Sequence, residues 1–302
     1  MRTEKCRGWL AGNFSLNAVV TLGITVSILA AGIQQGLTEE SHATFPSEKD
    51  SPWEKGFLRF GGYIAAFNSD LGFGIDGGPS VAIDGEGTFG LDSSLTVLRL
   101  DGAYRPGKSR RHQVDFTYAA YHREGKKTLS EEIDLGDQTI PLGAEVSSIF
   151  NFDIIRSTYT YAFLQDDRMR VAMGLGIYVV PLEYGLDVET SGGRSAIEGA
   201  EVTLPLPAIA LRAEFQLVPK VYLNIEANFM YLAISDFTGS LMDNTIGVEY
   251  RPWKHFGLGL AYSGMAVAVE QESSSSDYPG SDFVGSVDVQ FNGLFLYGKA
   301  SF

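Results

Sequence analysis

The chain has 302 residues, 44% of them hydrophobic and 12% aromatic, and a formal net charge of −14. So much apolar, aromatic and β-branched material excludes a disordered polymer, and a surface this acidic excludes a nucleic-acid binder, which must neutralise phosphates with basic groups. The single cysteine, Cys6, precedes the first apolar run, which excludes a disulfide framework or a thiolate metal centre in the remainder.

Residues 1–32 read as a secretory signal peptide. Arg2, Lys5 and Arg7 give a positive start, and the apolar run from Ala18 to Ala31 (AVVTLGITVSILAA) falls short of the ~20 residues that cross a bilayer as a helix. Cleavage is expected at Ala30-Ala31-Gly32, or as late as Ala43; an uncleaved anchor is the alternative. Residues 33–53 then form a short periplasmic lead to a domain spanning 54–302. An exported chain of this kind is periplasmic, secreted or a membrane β-barrel.

From Phe57 onward the dominant pattern has a period of two. In Lys220–Leu232 (KVYLNIEANFMYL) Val221, Leu223, Ile225, Ala227, Phe229 and Tyr231 alternate with Tyr222, Asn224, Glu226 and Asn228, and Met169–Val179 alternates in the same way. Runs of eleven residues or more exceed the ~5–6 of a soluble sandwich strand and suit the ~9–11 of a tilted membrane strand. The strands expected are 56–68, 94–105, 111–122, 146–164, 168–186, 202–217, 220–234, 243–251, 254–267 and 285–302. The fold class is therefore all-β, a transmembrane antiparallel β-barrel of about ten strands, with eight to twelve open.

The connections support that reading. Short turns at 106–109, 165–167, 218–220 and 252–254 alternate with long polar links near 68–93, 123–145, 187–201, 235–243 and 268–284, as periplasmic turns alternate with outer loops in such barrels. Acids outnumber bases by seventeen over the long links, whereas bases outnumber acids by seven around the turns. In 149–163 the apolar phase slips between Ile154 and Ile155, which predicts a β-bulge if one face is to stay apolar. Pro205 and Pro207 are expected near the outer start of a strand, where a lost ladder bond matters least.

Turning the apolar face to lipid places Arg59, Arg99, Arg170, Arg212 and Lys299 in the lumen with Asp101, Asp115, Glu214, Glu226 and Glu249. Charges in a narrow lumen must pair and hydrogen-bond. The expectation is a salt-bridge layer near the periplasmic end, serving either as a constriction or as the polar core of a small packed barrel.

Leu98–Tyr121 (LRLDGAYRPGKSRRHQVDFTYAAY), Leu204–Phe215 (LPLPAIALRAEF) and the closing GLFLYGKASF resemble the small outer-membrane β-barrel proteins of Gram-negative bacteria, a largely uncharacterised group. The resemblance covers nearly all of 54–302. It implies residence in the outer membrane, contact with its lipid and lipopolysaccharide, and a terminal Phe302 presented to the barrel-assembly machinery. It implies no particular chemistry.

Other motifs carry less. Gly85-Glu86-Gly87-Thr88-Phe89-Gly90 spells GxGxxG but lacks the strand-to-helix setting of a dinucleotide site. Asp70, Asp76, Asp84 and Glu86 are hard oxygen ligands in one acidic loop, without EF-hand spacing. Of the histidines His42, His112, His122 and His255, only His122, with Glu124 nearby, falls near the outer rim, where a general base would need a target within hydrogen-bond reach. Ser273–Ser276 reads as a flexible loop. Aromatic girdles are expected from Tyr104, Phe215, Tyr250, Trp253 and Phe256 at one end and Tyr184, Tyr231 and Phe237 at the other.

The functional expectation is an integral outer-membrane protein that is not an enzyme, is structural or a narrow channel for small solutes, and uses no cofactor or metal. A surface-binding barrel acting through acidic outer loops is the alternative, and a rim hydrolase centred on His122 stands behind it. No nucleic acid is expected among the partners, and the oligomeric state is left open.

Overall fold

The computed structural model describes residues 53–73, 81–134, 139–190, 193–271 and 285–302; the expected signal peptide, His42, Asp76 and Ser273–Ser276 lie outside them. Ten long antiparallel strands close into a barrel: β1 (Gly56–Phe73), β3 (Ser94–Tyr104), β4 (His112–Thr128), β7 (Glu145–Gln165), β8 (Met169–Thr190), β9 (Gly193–Val218), β10 (Val221–Ile234), β11 (Phe237–Tyr250), β12 (Phe256–Gln271) and β13 (Gly285–Ser301). Each pairs with the next along the chain, and β13 returns to β1 from Phe57↔Ser301 to Phe73↔Gly285. The short strand β2 (Val81–Asp84) folds back on β1, and β5 (Ile133–Asp134) and β6 (Thr139–Ile140) form a small hairpin in the β4–β7 loop.

Alternation sets the two faces. Along β4, inward Gln113, Asp115, Thr117, Ala119, Tyr121 and Arg123 are buried, while outward Val114, Phe116 and Tyr118 are exposed. Leu58, Phe60, Ile64, Leu98, Leu175, Ile177, Leu258, Leu260, Leu294 and Leu296 continue the exposed apolar belt. In water such a belt would be an aggregation surface; against lipid tails it needs no cover. Among the described residues no helix is long and apolar enough to cross a membrane.

Two lengths differ from expectation. Strands β7, β8 and β9 run to 21, 22 and 26 residues, and the polar link expected at 187–201 continues as paired strand, with Glu189 opposite Arg194. Beyond the lipid a sheet needs no apolar face, so polar sequence extends the pairing into an outer rampart. The link expected at 235–243 is instead a tight turn at Ser235–Asp236, with Ser235 in the left-handed region at φ +51°. Because this hairpin is short, β9 pairs with β10 only as far as Ile209↔Phe229. Pro205 and Pro207 lie beyond that point, where β9 has become an edge and needs no N–H on that side.

The expected bulge at Ile154/Ile155 does not occur. The β4–β7 register runs unbroken from Thr128↔Glu145 to His112↔Tyr161, and the register shift lies instead at Ala162/Leu164, against β8. Phe150, Phe152 and Ile154 face the lumen, while Tyr159 and Tyr161 face lipid. The apolar residues change face because the outer half of the lumen is itself apolar.

Tyr63, Phe67, Tyr121, Phe150, Phe152 and Phe291 form the centre of that outer core, with the Tyr121 and Phe152 rings stacked at 4.9 Å. Phe237, expected in a girdle, is also buried here. Two outer loops close over it, one inserting Phe89 and Leu91, the other Leu129, Ile133 and Ile140. A cavity of about 30 Å³ remains between Phe150, Val180, Leu206, Met265 and Phe291.

Candidate functional site

The inner half of the lumen holds the charged layer, and all ten residues assigned to it from the sequence lie buried or nearly so inside the barrel. Sheet register makes many of them neighbours: Arg59 stands between Asp101 and Lys299, Arg170 opposite Glu214, and Arg212 between Ala172 and Glu226. Arg59 Nη1 donates to Glu226 Oε1 at 3.0 Å, and its Nε lies 3.3 Å from Glu249 Oε2. Glu249 also accepts from Lys299 Nζ at 2.7 Å and from the Tyr297 hydroxyl at 3.2 Å. Arg99 Nε donates to Asp101 at 3.0 Å, and Arg170 Nη1 to Glu214 at 3.3 Å.

Five further members complete the network. Arg156 donates to Asp243 at 2.9 Å, to the Thr117 hydroxyl at 2.7 Å and to Glu226 at 3.2 Å, while Tyr178 donates to Asp243 at 2.7 Å. Arg105 joins Glu214 and donates through Nε to Gln113 at 2.7 Å. Below them Glu54 faces Lys299, Arg251 and Arg105, with Arg251 Nη1 donating to it at 3.0 Å. Burial alone would raise the Glu54 pKa, and these three cations more than reverse it, holding the carboxyl well below its ordinary range. Trp53 donates from Nε1 to Asp166 O at 2.7 Å and so draws the lead across the inner mouth.

These five were hidden by local readings. Arg105 and Arg251 border turns, Glu54 borders the lead, Asp243 fell in an expected link, and Arg156 follows the supposed bulge. The usable signal for Arg156 and Asp243 was strict parity: each continues the inward face of a strand.

The remaining candidates do not meet a ligand-like setting. His122 points outward from the wall, its Nε2 3.7 Å from Asp153 Oδ1, on the face opposite the lumen. His112 Nδ1 hydrogen-bonds Tyr159 Oη at 2.7 Å and His255 Nδ1 lies 2.9 Å from Ser301 O, both at the inner end. Asp84 accepts from the Gly87 N–H at 2.7 Å, and Glu86 accepts from the Ser69 N–H at 2.8 Å and pairs with Arg123. The GxGxxG segment is thus the turn that carries Phe89 into the lumen. Among the described residues no group of three or more His, Cys, Asp or Glu side chains is placed to hold a metal. Phe302 closes the barrel seam: Gly56 N–H donates to Phe302 O at 3.0 Å, and Phe302 N–H to Gly56 O at 2.9 Å.

No protein-family model matches the chain, and no curated protein does. Solved structures match through the fold. The outer-membrane protease OmpT from Escherichia coli aligns over 87% of this chain and 100% of its own, at 8% identity and a TM-score of 0.53. The toluene transporter TodX of P. putida aligns over 83% of this chain and 91% of its own, at 7% identity and a TM-score of 0.35. The chain therefore has the fold of the small outer-membrane β-barrels.

Proposed function

We propose that the protein is an integral outer-membrane barrel with a closed lumen, structural within the membrane and meeting its partners through its outer end. The carrying observation is that the lumen is filled at two levels, by the charged layer and by the aromatic core above it. The cavity within the aromatic core has room for about one water molecule and is lined by apolar groups, and a larger one of about 110 Å³ lies between Met230, Leu241, Val267 and Gln290. A barrel of this strand number is about the width that side chains can fill.

Outward, the surplus of β7, β8 and β9 adds about ten residues per strand, roughly 30 Å of sheet, beyond the apolar belt. That rampart and the acidic outer loops supply the surface for lipopolysaccharide, bridging cations or macromolecular partners. The orientation of His122, on the face of β4 away from the lumen, favours this reading over a rim hydrolase.

Single-channel recording of the purified, folded chain in a planar bilayer tests it. Stable insertion without unitary current is the expected result. Discrete steps from the unmodified protein would make the charged layer a filter and the narrow-channel reading the correct one.

A further inference from the structure

We infer that the charged layer is completed by a small inorganic anion of the halide class, held by Arg212 above Thr158 and Thr160. The first ground is charge. Among the described residues the connected layer contains eight cations, the ten assigned residues contributing five and Arg105, Arg156 and Arg251 the rest. Against them stand seven carboxylates, five from the assigned set with Glu54 and Asp243. A surplus positive charge among buried side chains is costly unless something neutralises it.

The second ground singles out Arg212. Seven of the cations lie within 3.3 Å of a carboxylate oxygen, whereas Arg212 approaches Asp115 and Glu226 only at 3.6 and 3.8 Å. Its Nη1 is used, donating to Leu211 O and Asn228 Oδ1. Its Nε and Nη2 find no hydrogen-bond partner in the protein, although the residue is only 4% exposed.

The third ground is the floor. To come near Asp115 on β4, the Arg212 side chain reaches from β9 across β8 and β7. On the two strands so crossed, β8 carries Gly174 and Gly176, which have no side chains, and β7 carries Thr158 and Thr160 opposite them, in line with Asp115 and Gln113 of β4. Both threonine hydroxyls are fully buried and also lack partners in the protein. A Cβ at Gly176 would come within 2.7 Å of Thr158 Oγ1, so the glycine leaves that hydroxyl its position.

Arg156 of β7 and Arg170 of β8, on the same two strands as the threonines and glycines, each carry a further Nε–H without a partner in the protein. Asp115 Oδ2 and Glu214 Oε2 oppose an anion, but they are two acceptors against the Nε and Nη2 of Arg212, the two Nε–H groups and the two hydroxyls. A monovalent, spherical ion matches a surplus of one charge and needs only donors around it. A divalent oxyanion would over-neutralise the layer.

The test uses the full-length folded barrel in two measurements. Anomalous diffraction from crystals grown in sodium bromide should show a peak in contact with Arg212 Nη2, and thermal unfolding should occur at higher temperature in sodium bromide or chloride than in sodium gluconate of equal ionic strength. The halide gain should saturate with concentration and vanish in Arg212→Met. Thr158→Val, which removes one hydroxyl and keeps every charge, should weaken halide dependence should the arginine variant fail to fold. Equal unfolding temperatures in halide and gluconate overturn the inference. So does water rather than bromide at Arg212, or a halide gain that persists undiminished in the variants.

Discussion

Arg123 on β4 and Glu86 in the turn after β2 form a buried ion pair that ties an outer loop to the barrel wall. Arg123 also donates to Ser69 Oγ at 2.7 Å and, through Nη2, to Asp92 O at 2.8 Å, with its guanidinium 4.4 Å from the centre of the Phe67 ring. The clasp holds Phe89 and Leu91 down in the aromatic core. Close approach of the backbones makes it possible: a Cβ at Gly125 would sit 2.6 Å from the Gly90 carbonyl carbon, and Gly90 itself adopts φ +70°.

Replacing Glu86 with Ala should release this loop. Arg123 would keep its charge in a buried place without its carboxylate, a loss of about 3–5 kcal/mol in the local closing equilibrium. Hydrogen exchange at the Phe89 and Leu91 amides should quicken while the lower strands remain protected. Unchanged exchange at those amides would mean that apolar contacts alone hold the loop.

Glu226 carries a different load, because three guanidiniums converge on it, Arg59 at 3.0 Å, Arg156 at 3.2 Å and Arg212 at 3.8 Å. Glu226→Ala should lower the unfolding free energy by about 3–5 kcal/mol, the cost of leaving buried charges uncompensated. Asp243→Asn should cost less than a sum would suggest when combined with it, since both carboxylates share Arg156. Urea unfolding of the barrel in lipid vesicles, read on both single variants and the double variant, measures the coupling.

The alternation that made the barrel legible is a property of the lipid-facing residues: Leu58, Phe60, Leu258 and Leu260 must be apolar whatever lies behind them. The lumen obeys a weaker rule, because protein atoms there can be satisfied either by ion pairs or by each other. Hence Phe150, Phe152 and Ile154 look from the sequence like lipid-facing residues out of phase, although they are core. The ten charged positions could be assigned because a charge on an alternating strand cannot face lipid and has only the lumen left to it. Arg105, Arg251 and Glu54 were not, since beside a turn a charge is equally at home in water. Outer strand ends were the least legible, as beyond the membrane pairing no longer demands any pattern, and Glu189 opposite Arg194 is ordinary polar sequence.

Acid should loosen the inner mouth through Glu54. Its pKa is depressed in the folded protein, so its contribution to stability is complete above the ordinary glutamate value of 4.5. It is lost progressively as pH falls below that value towards the folded pKa, because the unfolded chain then takes up the proton first. Glu54→Gln should lower stability at neutral pH and flatten this part of the acid limb. Parallel pH profiles for the two proteins would place the acid-sensitive group elsewhere in the layer.

The backbone and the ring of Phe302 can be tested apart. Its backbone makes both seam hydrogen bonds with Gly56, whereas its ring is exposed on the outside of the barrel, 61% accessible. Phe302→Ala keeps the backbone bonds and removes the ring. The variant should therefore refold in detergent to a barrel of near-normal stability, yet reach the outer membrane of cells in clearly lower yield, if the assembly machinery reads the aromatic side chain. Deleting Phe302 removes the bonds as well and should impair both measurements. Equal cellular yield for Phe302→Ala and the unmodified protein would remove the ring from assembly, and failure of Phe302→Ala to refold in detergent would make it a structural element of the seam.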